Sequence, residues 1–172
     1  MELQTKIPLE KEPENLIGYN SKTVLFGSCF SENIGAKLEY FKFQNFQNPL
    51  GILFHPKAIE ALISHAVLEK EYLESDTFYN NEKWHCFDAH SMMSSVSKKD
   101  LVVSLNDALK TTLQELKTAS HIVITLGTAW VYRFKETSKF VANCHKIQQK
   151  KFDKELLSID IICKSLKHIV DM

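Results

Sequence analysis

Two short stretches put reactive side chains where an α/β protein can use them. Gly27-Ser28-Cys29 follows the apolar run Lys22 to Phe26, and Gly127-Thr128-Ala129 follows the β-branched run His121 to Leu126. A side chain on a tight turn between a strand and a helix is lifted clear of the sheet, and the first N–H groups of that helix are free and carry partial positive charge. Cysteines at helix N-termini favour the thiolate. Cys29 or Ser28 is therefore a candidate nucleophile, with backbone N–H groups of the same turn available to a developing oxyanion. The structural alternative is that Ser28 caps the helix and Cys29 packs beneath it.

A nucleophile needs a base within about 2.6 to 3.2 Å. His145, after Cys144 at the end of a strand, is the first candidate; His85 and His90 lie with Asp88 on an irregular segment. Each of the three can equally be a hydrogen-bonded structural histidine. His55, His65, His121 and His168 sit on or beside regular elements and read as structural. No metal site is expected, because the His85-Cys86 and Cys144-His145 donors are adjacent in the chain and no clamp of closely spaced cysteines accompanies them. No cofactor is expected either. Trp84, Phe87, Trp130 and Tyr132 form either a wall that stacks a sugar or lines an acyl group, or a set of plugs beneath hairpins.

The elements that must position these residues follow from periodicity. Lys22 to Phe26 reads as a strand, with Ser31 opening a helix whose Ile34, Leu38 and Phe41 share one face. Pro56 begins a helix over 56–69 with Ile59, Leu62, Ile63, Ala66 and Val67 inward. Thr77 to Tyr79 and Lys83 to Phe87 flank a turn at Asn80 and Asn81. Leu101, Leu105, Ala108, Leu109, Thr112, Leu113 and Leu116 carry a 3.6-residue period, and His121 to Leu126 then reads as a buried strand. Val131 to Phe134 with Lys139 to Ala142 suggests a hairpin, and Ser158 caps a last helix with Ile162, Ser165, Leu166 and Ile169 inward. Cys163, beside Ile162, is expected to be packed. Strands alternating with amphipathic helices predict an α/β sheet with parallel strands and a site at their carboxyl ends.

Composition narrows the function. The chain has 172 residues, 44% of them hydrophobic, so it can bury a core without disulfides, and its four cysteines read as free thiols. Basic and acidic residues balance at 21 each, and Arg133 is the single arginine, which argues against nucleic acid as the partner. Met1 to Pro13 lacks the apolar core of a signal peptide, and no run approaches the ~18 apolar residues of a membrane span, so the expected compartment is the cytoplasm.

Phe26 to Leu38, FGSCFSENIGAKL, resembles the signature for which the GSCFA family is named. Asn48 to Ile59, Trp84 to Ser94, Thr125 to Tyr132 and Val141 to Lys146 resemble that family's further blocks in the same order. The family is similar to the SGNH (GDSL-like) hydrolases, which implies a flavodoxin-like three-layer sandwich around a mainly parallel sheet and an esterase or acyltransferase acting on a small-molecule or saccharide acyl ester. On that pattern Cys29 takes the nucleophile's place, or Ser28 if the match slips by one residue. Gly51, Gly127 and Thr128 match the oxyanion positions, with Thr128 standing in for an absent Asn. Asn48, Trp84, His85, His90, Trp130 and Asn143 are the implied substrate-binding residues. His55 stands where the family's Asn is expected.

The resemblance further implies a single incomplete domain over 1–172 with a polar arm at 1–15. The family's C-terminal blocks, with the late Asp-x-x-His that would supply the base, lie beyond it. The sheet is then expected to be truncated before its last strands and to self-associate through an open edge. In this form the protein is expected to be weakly active or inactive unless His145 replaces the base. The rival readings are a non-catalytic carbohydrate- or protein-binding module and a non-functional fragment.

Overall fold

The computed structural model describes Ile7, Pro8, Glu10 and residues 13–172, so most of the expected polar arm lies outside the described residues. Strand β1 (Lys22–Gly27) lies between β2 (Gln44–Gln47) and β5 (His121–Thr125) and is parallel to both, with Val24 opposite Phe46 on one side and Ile122 on the other. Thr23 to Gly27 are all buried, as a strand covered on both faces must be. Side chains alternate along a strand, so Val24 and Phe26 share one face. That face packs into the main core with Ile59 and Leu62 of α2 (Pro56–Val67) and Leu101, Leu105 and Leu109 of α3 (Lys98–Thr118). Helix α1 (Cys29–Tyr40) contributes nothing to that cluster and packs instead on β1 and β2.

Two β excursions complete the fold. Strands β3 (Thr77–Asn80) and β4 (Lys83–Cys86) form an antiparallel hairpin. Strand β6 (Trp130–Phe134) pairs antiparallel with both β7 (Lys139–Val141) and β8 (Phe152–Leu156), in the order β7-β6-β8. The chain is thus α/β, with one parallel sheet and two antiparallel ones, and the hairpins at 77–86 and 130–141 form as the sequence predicts. A second core of Phe134, Val141 and Phe152, with Phe87, Tyr132, Cys144 and Ile147 against it, joins the two excursions. No helix among the described residues is long and apolar enough to cross a membrane.

Three expectations need correction. The inward residues of α1 are Ser31 and Gly35, while Phe41 is 59% exposed, because α1 meets the sheet through small residues. Strand β2 has no counterpart in the sequence reading, which makes the Gln/Asn/Phe-rich stretch between α1 and α2 a loop; nor has β8, since Asp153, Lys154 and Glu155 give it no apolar run. Its pairing rests on the β6 ladder and on Arg133, whose Nε and Nη2 donate to the Glu155 carboxylate at 2.6 and 3.0 Å. Strand β5 is an edge rather than a buried strand: β1 is its hydrogen-bonded neighbour, and Ile122 is half exposed. Beside that edge Ile63, Val67, Leu116, Ile124, Ile169 and Met172 help to line an apolar groove of about 370 Å³.

Helix α4 (Ile159–Asp171) is locked to α2 by one carboxylate. Ser158 caps it by accepting from Ile161 N–H, and Ser165 and Ile169 face inward. Glu60 accepts from Lys57 Nζ at 2.7 Å, from the buried Ser165 hydroxyl and from His168 Nδ1 at 2.8 Å. Burial works against the Glu60 carboxylate, but the hydrogen bonds from Lys57, Ser165 and His168 outweigh it and hold the carboxyl below its ordinary value. Its contribution is therefore complete at neutral pH and is lost as pH falls through that lowered pKa. Glu60→Ala leaves the Ser165 hydroxyl without this acceptor and is expected to cost about 2 kcal/mol in denaturant unfolding, with a weaker acid dependence than the parent. The open β5 edge predicts self-association that grows with concentration, and Ile122→Lys is expected to reduce it on size-exclusion chromatography.

Candidate active site

The parallel register that sets Gly27 opposite Thr125 brings both expected turns to one rim of the sheet. Gly27 has φ 134, and a Cβ there would stand 2.0 Å from the Thr125 carbonyl oxygen. Only glycine lets β1 end this close to β5. Ser28 then adopts extended dihedrals as the N-cap of α1, and its Oγ accepts from Phe30 N–H at 3.3 Å. Its own N–H is shared between Thr125 O at 3.1 Å and Thr125 Oγ1 at 3.0 Å.

Proton accounting assigns the hydroxyls of this turn. Ser31 Oγ donates to Phe26 O at 3.2 Å, so Thr125 Oγ1 donates to Ser31 Oγ at 2.8 Å, and Ser28 Oγ in turn donates to Thr125 Oγ1 at 3.0 Å. Ser28, 8% exposed, has its proton committed to a chain that ends on a backbone carbonyl. Cys29 is different: its thiol is exposed in the first turn of α1. Among the described residues its N–H has no acceptor.

The expected oxyanion donors are engaged. Gly51 N–H donates to Asn48 O at 2.8 Å, and Gly127 and Thr128 N–H both donate to Phe54 O, at 2.8 and 3.1 Å. The first closes its own turn, and the other two tie the turn after β5 to the loop that precedes α2. The Thr128 hydroxyl accepts from Trp130 N–H at 3.0 Å and keeps its own proton to donate. Asn48, expected to touch substrate, is a strut: its buried Oδ1 accepts from Gly27 N–H at 2.8 Å, its N–H donates to Leu25 O, and its backbone is left-handed with φ 38. Its Nδ2 is buried and has no partner among the described residues.

His145 does not stand with these residues. Its ring is buried, Nε2–H donates to Cys86 O at 2.8 Å, and the ring packs 4.6 Å from His85 and 5.6 Å from Phe78. Asn143 Oδ1 accepts from His145 N–H at 2.8 Å, and Asn80 Nδ2 donates to His145 O at 2.9 Å. Burial, against the Cys86 hydrogen bond, pushes its pKa down to about 4, so it is neutral at physiological pH. His145 and Asn143 thus pin the two β excursions together. His85 is likewise consumed, by Ser94 Oγ at 2.6 Å and Asn80 O at 2.9 Å. His55 caps α2 through Nδ1 and donates from Nε2 to Val141 O at 3.0 Å, and burial lowers its pKa.

His90 is the histidine that stands against the rim. Its N–H donates to Leu50 O at 2.8 Å, its Nδ1 accepts from Met92 N–H at 3.3 Å, and a Cβ on Gly51 would lie 2.5 Å from His90 Cβ. Gly51, with φ 77, permits that approach. Nε2 of His90 makes no hydrogen bond to a described residue. The sequence names His90 only as one of three local candidates; contact with Gly51 across 39 positions of chain is what singles it out.

The four aromatic residues do not make one wall. Trp84 packs on the main core beneath Lys98, at 4.7 Å, and beside Tyr79, at 5.3 Å. Phe87 and Tyr132 belong to the second core. Trp130 alone is exposed next to Thr128, with Lys154 Nζ 4.6 Å from its ring. The sequence reading missed Phe54, whose ring lies against Gly127 and which is 40% exposed at the rim. Among the thiols, Cys86 is buried and pushed up to about 12 by that burial, burial also raises Cys144, and Cys163 is exposed on α4 rather than packed.

Asn48 tests the architecture of the rim. Asn48→Ala strands the buried Gly27 N–H and puts a Cβ-bearing apolar residue at a left-handed φ, for an expected loss of about 3 kcal/mol in thermal or denaturant unfolding. Asn48→Gly restores the backbone freedom and should recover about 1 kcal/mol of that.

The family model described as the GSCFA family matches residues 22–172. No curated protein and no solved structure matches the chain. The match runs from the first residue of β1 through α4 and includes the Gly27-Ser28-Cys29 turn, the Asn48 strut and the Gly127 turn: the chain belongs to the GSCFA family.

Proposed function

We propose that the rim is an acyl-transfer site of SGNH type, an esterase or acyltransferase centre in which Cys29 is the nucleophile. The reading takes α1 on one face of β2-β1-β5 and α2, α3 and α4 on the other as the layers of a flavodoxin-like sandwich. The observation that carries it is the exposed Cys29 thiol in the first turn of α1, beside a backbone N–H with no acceptor. Ser28 is the weaker choice because its proton is committed to Thr125.

In this mechanism the Cys29 thiolate attacks the ester carbonyl carbon, and the oxyanion that forms accepts from Cys29 N–H and from the Thr128 hydroxyl. Collapse breaks the ester C–O bond and leaves a thioester on Cys29, with the alcohol departing after it takes a proton. Water or an acceptor alcohol then cleaves the thioester and regenerates the thiol. His90, the histidine at the rim with a free Nε2, is the residue to exchange these protons. Phe54 and Trp130 offer exposed apolar surface for the acyl group.

A non-catalytic binding module is the rival, and one observation favours it: no histidine nitrogen is hydrogen-bonded to Ser28 or Cys29 among the described residues. Iodoacetamide labelling of the folded protein with peptide mapping, alongside p-nitrophenyl acetate turnover, separates the two. Cys29 and Cys163 are both exposed, so exposure alone does not distinguish them. Cys29 is expected to label faster than Cys163, with Cys86 slowest, and Cys29→Ser to abolish ester turnover. Equal labelling of Cys29 and Cys163, or turnover that survives Cys29→Ser, sinks the nucleophile assignment. Selective labelling without turnover supports the binding module.

A further inference from the structure

The loop that leads into α2 holds one aromatic side chain out at the rim. Leu53 and His55, on either side of Phe54, are buried at 1% and 5% exposure, yet Phe54 between them is 40% exposed. Its backbone is fixed from both directions, because Leu53 N–H donates to Gly27 O at 2.9 Å and Phe54 O accepts from both Gly127 and Thr128 N–H. The ring is thereby carried on backbone tied to the turns after β1 and β5 at once. Phe54 belongs to neither core. Among the described residues no second ring and no cation stands on it, whereas Lys154 Nζ lies over the Trp130 ring.

Gly127 sets how near that ring comes to the nucleophile. A Cβ at position 127 would lie 2.8 Å from Phe54 Cδ1 and 3.4 Å from Ser28 Cβ, so the space a side chain would fill is bounded by the ring on one side and by the turn that carries Cys29 on the other. Any residue but glycine would push the ring away from that turn. A close approach of this kind ordinarily serves core packing. Here it serves a ring that keeps a face to solvent, one residue along the chain from an exposed thiol's neighbour at Ser28.

We propose that Phe54 is the specificity-determining residue of the rim, which selects acyl groups of several carbons over acetyl by laying the chain along its ring; the proposal rests on the acyl-transfer reading of Cys29. An acetyl group ends at the carbon next to the carbonyl and covers none of the ring. Each further methylene laid there takes apolar surface of both partners out of water. A methylene buried in full is favoured by about fourfold, so four of them half-buried on an open rim give roughly tenfold. The ring carries no hydrogen-bonding atom, so it reads apolar length and nothing else. Gly127 acts through Phe54 and is a positioning residue.

The test compares p-nitrophenyl hexanoate with p-nitrophenyl acetate, which share a leaving group, on the full chain. Their kcat/KM values are expected to favour hexanoate by roughly tenfold, Phe54→Ala to bring the ratio to within about twofold of unity, and Phe54→Leu to keep most of it. Both rates come from one preparation, so the ratio does not depend on how much of a variant is folded. A second readout needs no turnover: labelling of folded protein by N-hexylmaleimide against N-methylmaleimide, with peptide mapping and the exposed Cys163 as reference. The hexyl preference at Cys29 is expected to exceed that at Cys163 and to fall to it in Phe54→Ala. Turnover indifferent to acyl length, or a hexyl preference at Cys29 that is absent or survives Phe54→Ala, overturns this proposal and leaves the Cys29 reading standing. Turnover that survives Cys29→Ser overturns that reading instead.

Discussion

The contact between Gly27 and the Thr125 carbonyl is the constraint on which the rest of the rim depends. Because β1 ends against β5 with no side chain between them, Ser28 can hydrogen-bond Thr125 through both its N–H and its hydroxyl. That pairing sets the direction in which α1 leaves the sheet. It turns Ser28 inward and Cys29 outward, so the choice between two adjacent candidate nucleophiles is a matter of backbone direction rather than of residue chemistry. Asn48 secures the same point from the β2 side by accepting from Gly27 N–H.

The histidines show how burial reassigns a residue type that sequence alone marks as reactive. His55 and His145 are each buried, and each donates a ring N–H to a backbone carbonyl of another segment, whereas the buried His85 bonds Asn80 O within its own hairpin. The cost of burying an imidazolium lowers the pKa of His55 and His145, and a neutral ring with one fixed donor is a good strut. These struts do work that the small second core could not do alone, since its fully buried apolar members are Phe134, Val141 and Phe152. The two β excursions are thereby tied to each other and to α2, and a rigid groove is left between them. His90, half-buried and bonded through Nδ1 only, is the one left with a nitrogen to spare at the rim.

The acyl-transfer reading uses the sheet and the turn that follows its central strand, where parallel α/β folds offer their strand ends to ligands.

Much of the fold is legible in local sequence because helices and strands answer to short-range periodicity. The leucine spacing from Leu101 to Leu116, the Pro56 start of α2, the Ser158 cap and the glycines that end β1 and follow β5 all act within a few residues, and a helix or strand formed at each of these places. The Gly27-Ser28-Cys29 turn was visible for the same reason. The roles of the side chains were not, because their partners are remote in sequence: His55 meets Val141 across 86 residues and His145 meets Cys86 across 59. Strand β8 was hidden because its stability comes from β6 and the Arg133–Glu155 pair rather than from an apolar face of its own. Local sequence therefore determined the elements and the turn that carries the candidate nucleophile; tertiary structure decided which hydroxyl was spent, which histidine faced the rim and which thiols met solvent, because hydrogen bonding and burial are properties of the packed chain.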